Sequence, residues 1–151
     1  MKRRDVIASA SAVLVAGCTG PAADDGQSGD DTPTYADTSF EVTDAGCGGP
    51  AEAAAVSFDE TDESVAVSGT TSGPDGCYLA RVADATYDAS GDEFRLVVEA
   101  YDDADPDEGC TQCITEIDYE ATASFDGGLP GRVVVVHRSR GEEREVANAS
   151  P

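Results

Sequence analysis

The stretch Cys110–Phe125, CTQCITEIDYEATASF, decides the fold of this chain. From Cys113 onward, small or apolar side chains alternate with polar ones at a period of two residues. Because successive side chains of a β-strand point to opposite faces, this pattern predicts a strand with one buried face and one face in water. The predicted buried face comprises Cys113, Thr115, Ile117, Tyr119, Ala121, Ala123 and Phe125.

Further short apolar runs, separated by turns rich in Gly, Pro, Asp and Ser, occur between residues 38 and 147. They predict strands around Phe40–Val42, Val56–Phe58, Val65–Val67, Cys77–Tyr87, Phe94–Tyr101 and Arg132–Arg138, and residues 142–147 offer an eighth. The run Val133–Val136 is apolar at every position, which predicts burial on both faces. Residues 51–55, AEAAA, have room for one helical turn at most.

This pattern predicts an all-β fold, an antiparallel β-sandwich of about seven strands. Its architecture is compatible with an immunoglobulin-like arrangement. A true immunoglobulin domain is disfavoured, because the chain has no tryptophan and its cysteines have a different spacing.

The N-terminal residues predict an export signal. Lys2, Arg3 and Arg4 precede an apolar run, residues 6–17, whose helical length of about 18 Å is too short for a hydrocarbon core of about 30 Å. Residues 1–17 are therefore predicted to form a removable signal peptide. Val15-Ala16-Gly17 before Cys18 resembles a lipobox, and Arg3-Arg4 resembles a twin-arginine signal. The resemblance implies a lipid anchor at Cys18.

The charge of the chain gives a second indication. Removing residues 1–17 takes three of the nine basic residues and one of the 31 acidic ones, so 30 acids and six arginines remain, a net charge of −24. Such a charge disfavours binding to nucleic acid or to anionic lipid. Lysine depletion together with the signal resembles the secreted lipoproteins of haloarchaea, which implies a place on the extracellular face of the cell membrane. Since the Debye length at 1 M salt is about 3 Å, we expect folding to require salt.

The predicted organisation has four parts. Residues 1–17 form the signal peptide, and residues 18–37 form a disordered acidic linker that begins with the lipidated Cys18. Residues 38–147 form the β-sandwich, and residues 148–151 form a short C-terminal tail.

Four cysteines remain beside Cys18: Cys47, Cys77, Cys110 and Cys113. If the strands follow one another up and down, all four gather at one pole of the sandwich. Two disulfides suit an extracellular domain, and we favour Cys47–Cys77 with Cys110–Cys113. A four-cysteine zinc site and free thiols are the alternatives. A redox role for the C-x-x-C motif is disfavoured, because nearby carboxylates raise the pKa of a thiol.

Two other features are candidates for chemistry. Asp103, Asp105 and Asp107 match the first acidic positions of a calcium loop, but Glu108 and Ile114 replace its required Gly and Glu. That leaves a looser cation site as the metal alternative. His137 is the only histidine, and no sequence signature supplies it with a nucleophile and an orienting acid. It is predicted to be a satisfied or exposed side chain without a catalytic role.

These features predict a non-enzymatic lipoprotein without a cofactor. Its expected partners are the membrane, through the anchor at Cys18, and another envelope protein or a small ligand, but not nucleic acid. The alternative is a metal-binding protein, through a four-cysteine zinc site or through the acidic loop.

Overall fold

The computed structural model describes residues 32–151 as eight β-strands. They are β1 (Thr34–Cys47), β2 (Ala53–Asp59), β3 (Ser64–Gly73), β4 (Tyr78–Asp88), β5 (Glu93–Asp102), β6 (Thr115–Asp126), β7 (Arg132–Ser139) and β8 (Glu142–Ala149). The first strand begins before residue 38 and the last extends past residue 147, so the folded domain exceeds both predicted boundaries. The predicted signal peptide, Cys18 and most of the predicted linker lie outside the described residues. Within residues 32–151, no helix is long and apolar enough to span a membrane.

The strands form two four-stranded sheets, which confirms the predicted all-β sandwich. The first sheet has the order β1-β6-β3-β2 and the second has the order β4-β5-β7-β8. One pair, β5 and β7, is parallel, because the chain leaves the second sheet to form β6 in the first sheet and then returns. Residues 51–55 have room for one helical turn, but residues 53–55 belong to strand β2. Ala54 and Val56 of this strand pack against the core.

Strand β6 lies between β1 and β3, at the centre of the first sheet. Its predicted alternation is confirmed: Ile117, Tyr119 and Phe125 are each at most 3% exposed. These side chains pack against apolar residues of the second sheet, which are Phe94, Leu96, Val98, Val133 and Val135. The predicted two-sided burial of Val133–Val136 is also confirmed, since all four valines are at most 6% exposed.

The outer face of the second sheet carries a small apolar cluster of its own. Val97, Val134 and Val136 form this cluster and are each at most 6% exposed. Arg95 and Arg138, which alternate onto the same face, both form ion pairs with Glu143. The apolar stems of such arginines cover hydrophobic surface while their charged ends stay in water.

The two ends of the sandwich differ in what they carry. At one end, here the disulfide pole, β1, β3, β5 and β7 end and β2, β4, β6 and β8 begin. At the opposite end, here the terminal pole, Thr34 of β1 pairs with Asp126 and Ala149 of β8 pairs with Val133. Both ends of the domain therefore leave from the terminal pole.

Charge is distributed unequally between the sheets. All six arginines of the domain lie on strands of the second sheet or in the β7–β8 turn, so no basic side chain lies on the first sheet. In the β1–β6 pair, Glu41 lies directly opposite Glu120, and Asp44 lies opposite Asp118. Like charges in such positions destabilise a sheet. The first sheet is therefore where salt should matter most.

This charge arrangement predicts a salt-dependent effect of one substitution. Glu120→Lys places opposite charges across β1 and β6, and should raise the free energy of unfolding by about 0.2–1 kcal/mol at low salt. In about 1 M NaCl the gain should shrink, because the Debye length falls to roughly 3 Å. Denaturant titrations followed by circular dichroism at both salt concentrations would measure the difference.

Asp126→Lys is the matched control, because it makes the same charge change on β6 opposite Thr34 rather than opposite an acid. Equal effects of the two variants would show that net charge, and not cross-strand pairing, governs the response. A wild-type domain that is equally stable with and without salt would contradict the salt requirement itself.

Candidate functional site

The four cysteines lie at the disulfide pole and form two disulfides, Cys47–Cys113 and Cys77–Cys110. Their predicted clustering at one pole is confirmed, and so is disulfide bonding. The predicted pairing, Cys47–Cys77 with Cys110–Cys113, is wrong. A zinc site formed by the four thiolates is overturned as well, because every sulfur is covalently bonded to another.

Strand register explains this pairing. Strand β1 runs to Cys47, which lies opposite Thr115 and so comes close to Cys113. Cys77 precedes β4, beside the start of the loop 103–114, and its carbonyl accepts a hydrogen bond from the Asp103 amide at 2.9 Å. The loop 103–114 carries the chain from the second sheet to the first. Its Cys113 is bonded to Cys47 at the end of edge strand β1, and its Cys110 is bonded to Cys77 directly before edge strand β4. The sequence predicts the first strand only around Phe40–Val42, whereas β1 extends as far as Cys47.

The acidic loop does not bring its three candidate metal ligands together. Asp103, Asp105 and Asp107 are exposed, and the Asp105 backbone is hydrogen-bonded to Glu108 through both its amide and its carbonyl. Within residues 32–151, the one cluster of three potential ligand side chains is Asp75, Cys77 and Cys110. Both of its cysteines belong to a disulfide and are not available as thiolates.

A chain of hydrogen bonds crosses the interior between the sheets near this pole. His137 of β7 is 4% exposed, and its Nδ1 lies 2.7 Å from Glu52 Oε1. Its Nε2 lies 2.9 Å from the hydroxyl of Tyr119 on β6. The ionised Glu52 requires the proton on Nδ1, so in the neutral ring Nε2 accepts the hydrogen bond from Tyr119. His137 is a satisfied interior histidine, which agrees with one of the two predicted possibilities.

Glu52 accepts hydrogen bonds from three residues. Besides His137, the Thr71 hydroxyl donates to Oε1 at 3.0 Å, and the Ser72 amide and hydroxyl donate to Oε2 at 3.2 and 3.0 Å. Partial burial opposes ionisation, but these hydrogen bonds and the nearby His137 ring outweigh it and lower the pKa of Glu52 below its usual 4.5. The carboxylate is therefore ionised and fully occupied as an acceptor.

Carboxylate, imidazole and hydroxyl have the connectivity of a catalytic triad, but not its accessibility. Tyr119 is 1% exposed, and its ring lies so close to Gly69 that a Cβ at that position would overlap it. Burial and the negative charge of Glu52 raise the pKa of Tyr119, which makes its hydroxyl a poor nucleophile. These three residues form a hydrogen-bonded bridge between the two sheets.

Above this bridge lies an open cleft of about 610 Å³. The cleft is lined by Pro50, Glu52, Ser72, Gly73, Pro74, Ile114, Ser139, Arg140 and Glu142. A smaller depression beside it is reached by His137, Glu143 and Arg144 and shares Glu52, Ser139 and Glu142. At 39% exposure, Ile114 is the one large apolar side chain that is exposed among residues 32–151. The lining combines Ile114 and two prolines with five polar or charged residues, Glu52, Ser72, Ser139, Arg140 and Glu142. A concave surface with converging polar groups is a candidate binding site.

The sequence interpretation missed the residues of this cleft. Glu52 gave one signal, because it is the only charged side chain in the run AEAAA. Arg140 gave another, because it precedes Gly141 in a two-residue turn between strands, where Asn or Asp is preferred. The alternation from Cys113 onward predicts that Ile114 lies on the face exposed to water, but it does not indicate a function for this residue.

The disulfides predict how the domain responds to removal of each bond. Replacing both Cys47 and Cys113 with alanine should lower the free energy of unfolding by about 4 kcal/mol, because these residues are 66 positions apart. Replacing Cys77 and Cys110, 33 positions apart, should cost slightly less. Denaturant titrations would measure both losses.

Intact mass provides the control for these variants, since reduction of the wild-type domain should add about 4 Da. Peptide mapping without reductant should recover Cys47 linked to Cys113. Recovery of Cys47 linked to Cys77 would contradict the observed topology.

The buried carboxylate predicts a pH-dependent contribution to stability. Because the folded-state pKa of Glu52 is lowered, its contribution is complete above about pH 4.5 and is lost as the pH falls through the folded-state value. Glu52→Gln should therefore cost about 1–3 kcal/mol at pH 7, and the difference from wild type should shrink in acid. Thermal unfolding measured from pH 3 to pH 7 would follow this change.

Glu142→Gln is the matched control, because Glu142 is an exposed side chain at the rim of the same cleft. Its stability difference from wild type should be small at every pH. A constant penalty for Glu52→Gln across the whole range would contradict the role of ionisation.

The chain was also compared with known proteins. No protein-family model matches it, and no curated protein or solved structure shows significant similarity to it.

Proposed function

We propose that this chain is a lipid-anchored extracellular protein whose cleft at the disulfide pole binds a component of the cell envelope. The observation that carries the proposal is the exposed Ile114 in a cleft whose walls are held by two disulfides. Ile114 directly follows Cys113, and its carbonyl accepts a hydrogen bond from the Gly48 amide at 2.9 Å. A contact surface fixed in this way loses little conformational entropy on binding.

Disulfide bonding supports the extracellular part of the proposal, because disulfides persist mainly in oxidising compartments. The lipobox-like residues before Cys18 support the anchor, since a lipid anchor with two chains holds a protein stably at a membrane. The bridge of Glu52, His137 and Tyr119 supports a non-enzymatic role, because its hydroxyl is buried away from any substrate.

The direction of β1 separates the cleft from the point where the preceding segment joins the domain. Strand β1 begins at the terminal pole, and its 14 residues run about 45 Å to the disulfide pole. A segment anchored at Cys18 would therefore join the domain at the pole opposite the cleft and leave the cleft free for other components of the envelope.

Cell fractionation tests the anchor. Wild-type protein is expected in the membrane fraction, from which detergent should release it, and Cys18→Ser protein is expected in the medium. Thr19→Ser, a neighbouring substitution that keeps Cys18, should behave as the wild type. Cys18→Ser protein that stays in the membrane fraction would contradict lipid anchoring.

The released protein also tests the cleft. Purified Cys18→Ser protein added to washed cells should bind their surface, and the further substitution Ile114→Asp should abolish this binding. Gln112→Asp places the same charge on an exposed residue of the same loop, outside the cleft, and should leave binding intact. Equal binding of the two variants would exclude the cleft as the contact surface.

A further inference from the structure

We infer that the cleft at the disulfide pole binds a carboxylate that is attached to an apolar residue bearing an N–H group. The C-terminal residue of a peptide has this chemistry, and so does a free N-acylated apolar amino acid. The inference names the ligand chemistry of the proposed binding function and rests on that function for its biological setting. Its chemical argument depends only on the residues of the cleft.

Arg140 provides the positive charge. Arg81, Arg95, Arg132 and Arg138 each have a carboxylate oxygen within 4.0 Å, but within residues 32–151 no carboxylate oxygen lies that close to Arg140 or to Arg144. Of these two arginines, Arg140 is the one that lines the cleft, and Arg144 lines the neighbouring depression. The guanidinium group of Arg140 thus keeps its donors available at the cleft, and a carboxylate is their best geometric match.

The backbone at Arg140 also requires an explanation. Its φ is +51°, in the left-handed region that favours Gly, Asn or Asp, and Gly141 follows with a φ of +84°. A two-residue turn of this kind would be more stable with Asn at the first position. Costly backbone conformations of this kind are concentrated at functional sites. The left-handed conformation of Arg140 therefore supports a function for its side chain.

The same cleft carries an apolar surface. Ile114, Pro50 and Pro74 all line it together with Arg140. Burying the exposed part of Ile114 against an apolar ligand side chain is favourable at roughly 25 cal/mol per Å². The ligand therefore needs an apolar group close to its carboxylate.

The two acids of the cleft differ in their availability. Both oxygens of Glu52 are occupied by hydrogen bonds from His137, Thr71 and Ser72, so this carboxylate offers little to a ligand. Glu142 is exposed at the rim, two residues after Arg140. It can accept a hydrogen bond from an N–H group adjacent to the bound carboxylate. Arg140 would bind the carboxylate of the ligand residue, and Glu142 would accept a hydrogen bond from the N–H group of the same residue.

The test uses the chain from Cys18 with Cys18→Ser, in about 0.5 M NaCl, which screens distant carboxylates more strongly than a directly hydrogen-bonded ion pair. A fluorescently labelled peptide, GSGSAL with a free C-terminal carboxylate, is titrated by fluorescence anisotropy. Binding is expected, and the same peptide with a C-terminal amide should bind at least about tenfold more weakly, because it lacks the charge that Arg140 recognises.

Arg140→Asn is the decisive variant, because Asn suits the left-handed turn and should not destabilise the fold. It should weaken peptide binding at least about tenfold while leaving the thermal unfolding temperature unchanged or higher. Arg144→Gln, at the neighbouring depression, removes the same charge and should keep the affinity within about twofold.

Competition by N-acetyl-leucine identifies the source of the ligand. Equal affinity of this free acid would support a small-molecule ligand, whereas much tighter binding of the peptide would support a protein C-terminus. Equal binding of the carboxylate and amide peptides, full affinity of Arg140→Asn, or no binding of any probe at 1 mM would overturn the inference. The two proposals can fail separately. If the Cys18→Ser protein binds the peptide but does not bind washed cells, the ligand chemistry is supported and the proposed envelope function is contradicted.

Discussion

Repulsion among carboxylates is the constraint that the rest of this structure accommodates. With 31 acidic residues and nine basic ones, the chain works against its own compaction at low salt. Two covalent bonds oppose that repulsion where the chain passes from one sheet to the other. The six arginines of the domain are concentrated on the second sheet, where four of them pair with acids. The first sheet is left without counter-charges.

Near the core, a carboxylate is stabilised by hydrogen bonds and not by an arginine. Glu52 approaches the core between the two sheets, where an unpaired carboxylate would be costly. Residues of β3 and β7 donate hydrogen bonds to this carboxylate. His137 is also hydrogen-bonded to Tyr119 of the first sheet. Of this bridge, Glu52 lines the cleft, and both of its oxygens already accept hydrogen bonds within the fold. A ligand of the kind we propose would therefore contact the rim, where Ile114, Arg140 and Glu142 are exposed.

The sequence was a good guide to local structure, because side-chain alternation is a local property. The inward face of β6 and the two-sided burial of Val133–Val136 could both be predicted from it. The disulfide pairing could not, because it depends on which strand lies beside β6. A β1 long enough to place Cys47 opposite Thr115 has little signal in its sequence, since residues 43–46 are small or polar.

The candidate site was less predictable than the fold. Glu52 and His137 are 85 residues apart and meet only because β2 and β7 lie in facing sheets. No motif encodes that contact. Arg140 left a local trace in its Arg-Gly turn. That no carboxylate of residues 32–151 lies within 4.0 Å of it is visible only once the neighbouring strands are in place.

The placement of both ends of the folded domain, Thr34 and Ala149, at one pole has a mechanical consequence. If the N-terminus is held and a partner is bound at the disulfide pole, tension runs lengthwise along β1. The hydrogen bonds between β1 and β6 would then be loaded together in shear, and would not open one after another from an end. The Cys47–Cys113 bond passes the load from β1 directly to the loop that carries Ile114. A domain arranged in this way can carry force from one pole to the other along β1 and the Cys47–Cys113 bond.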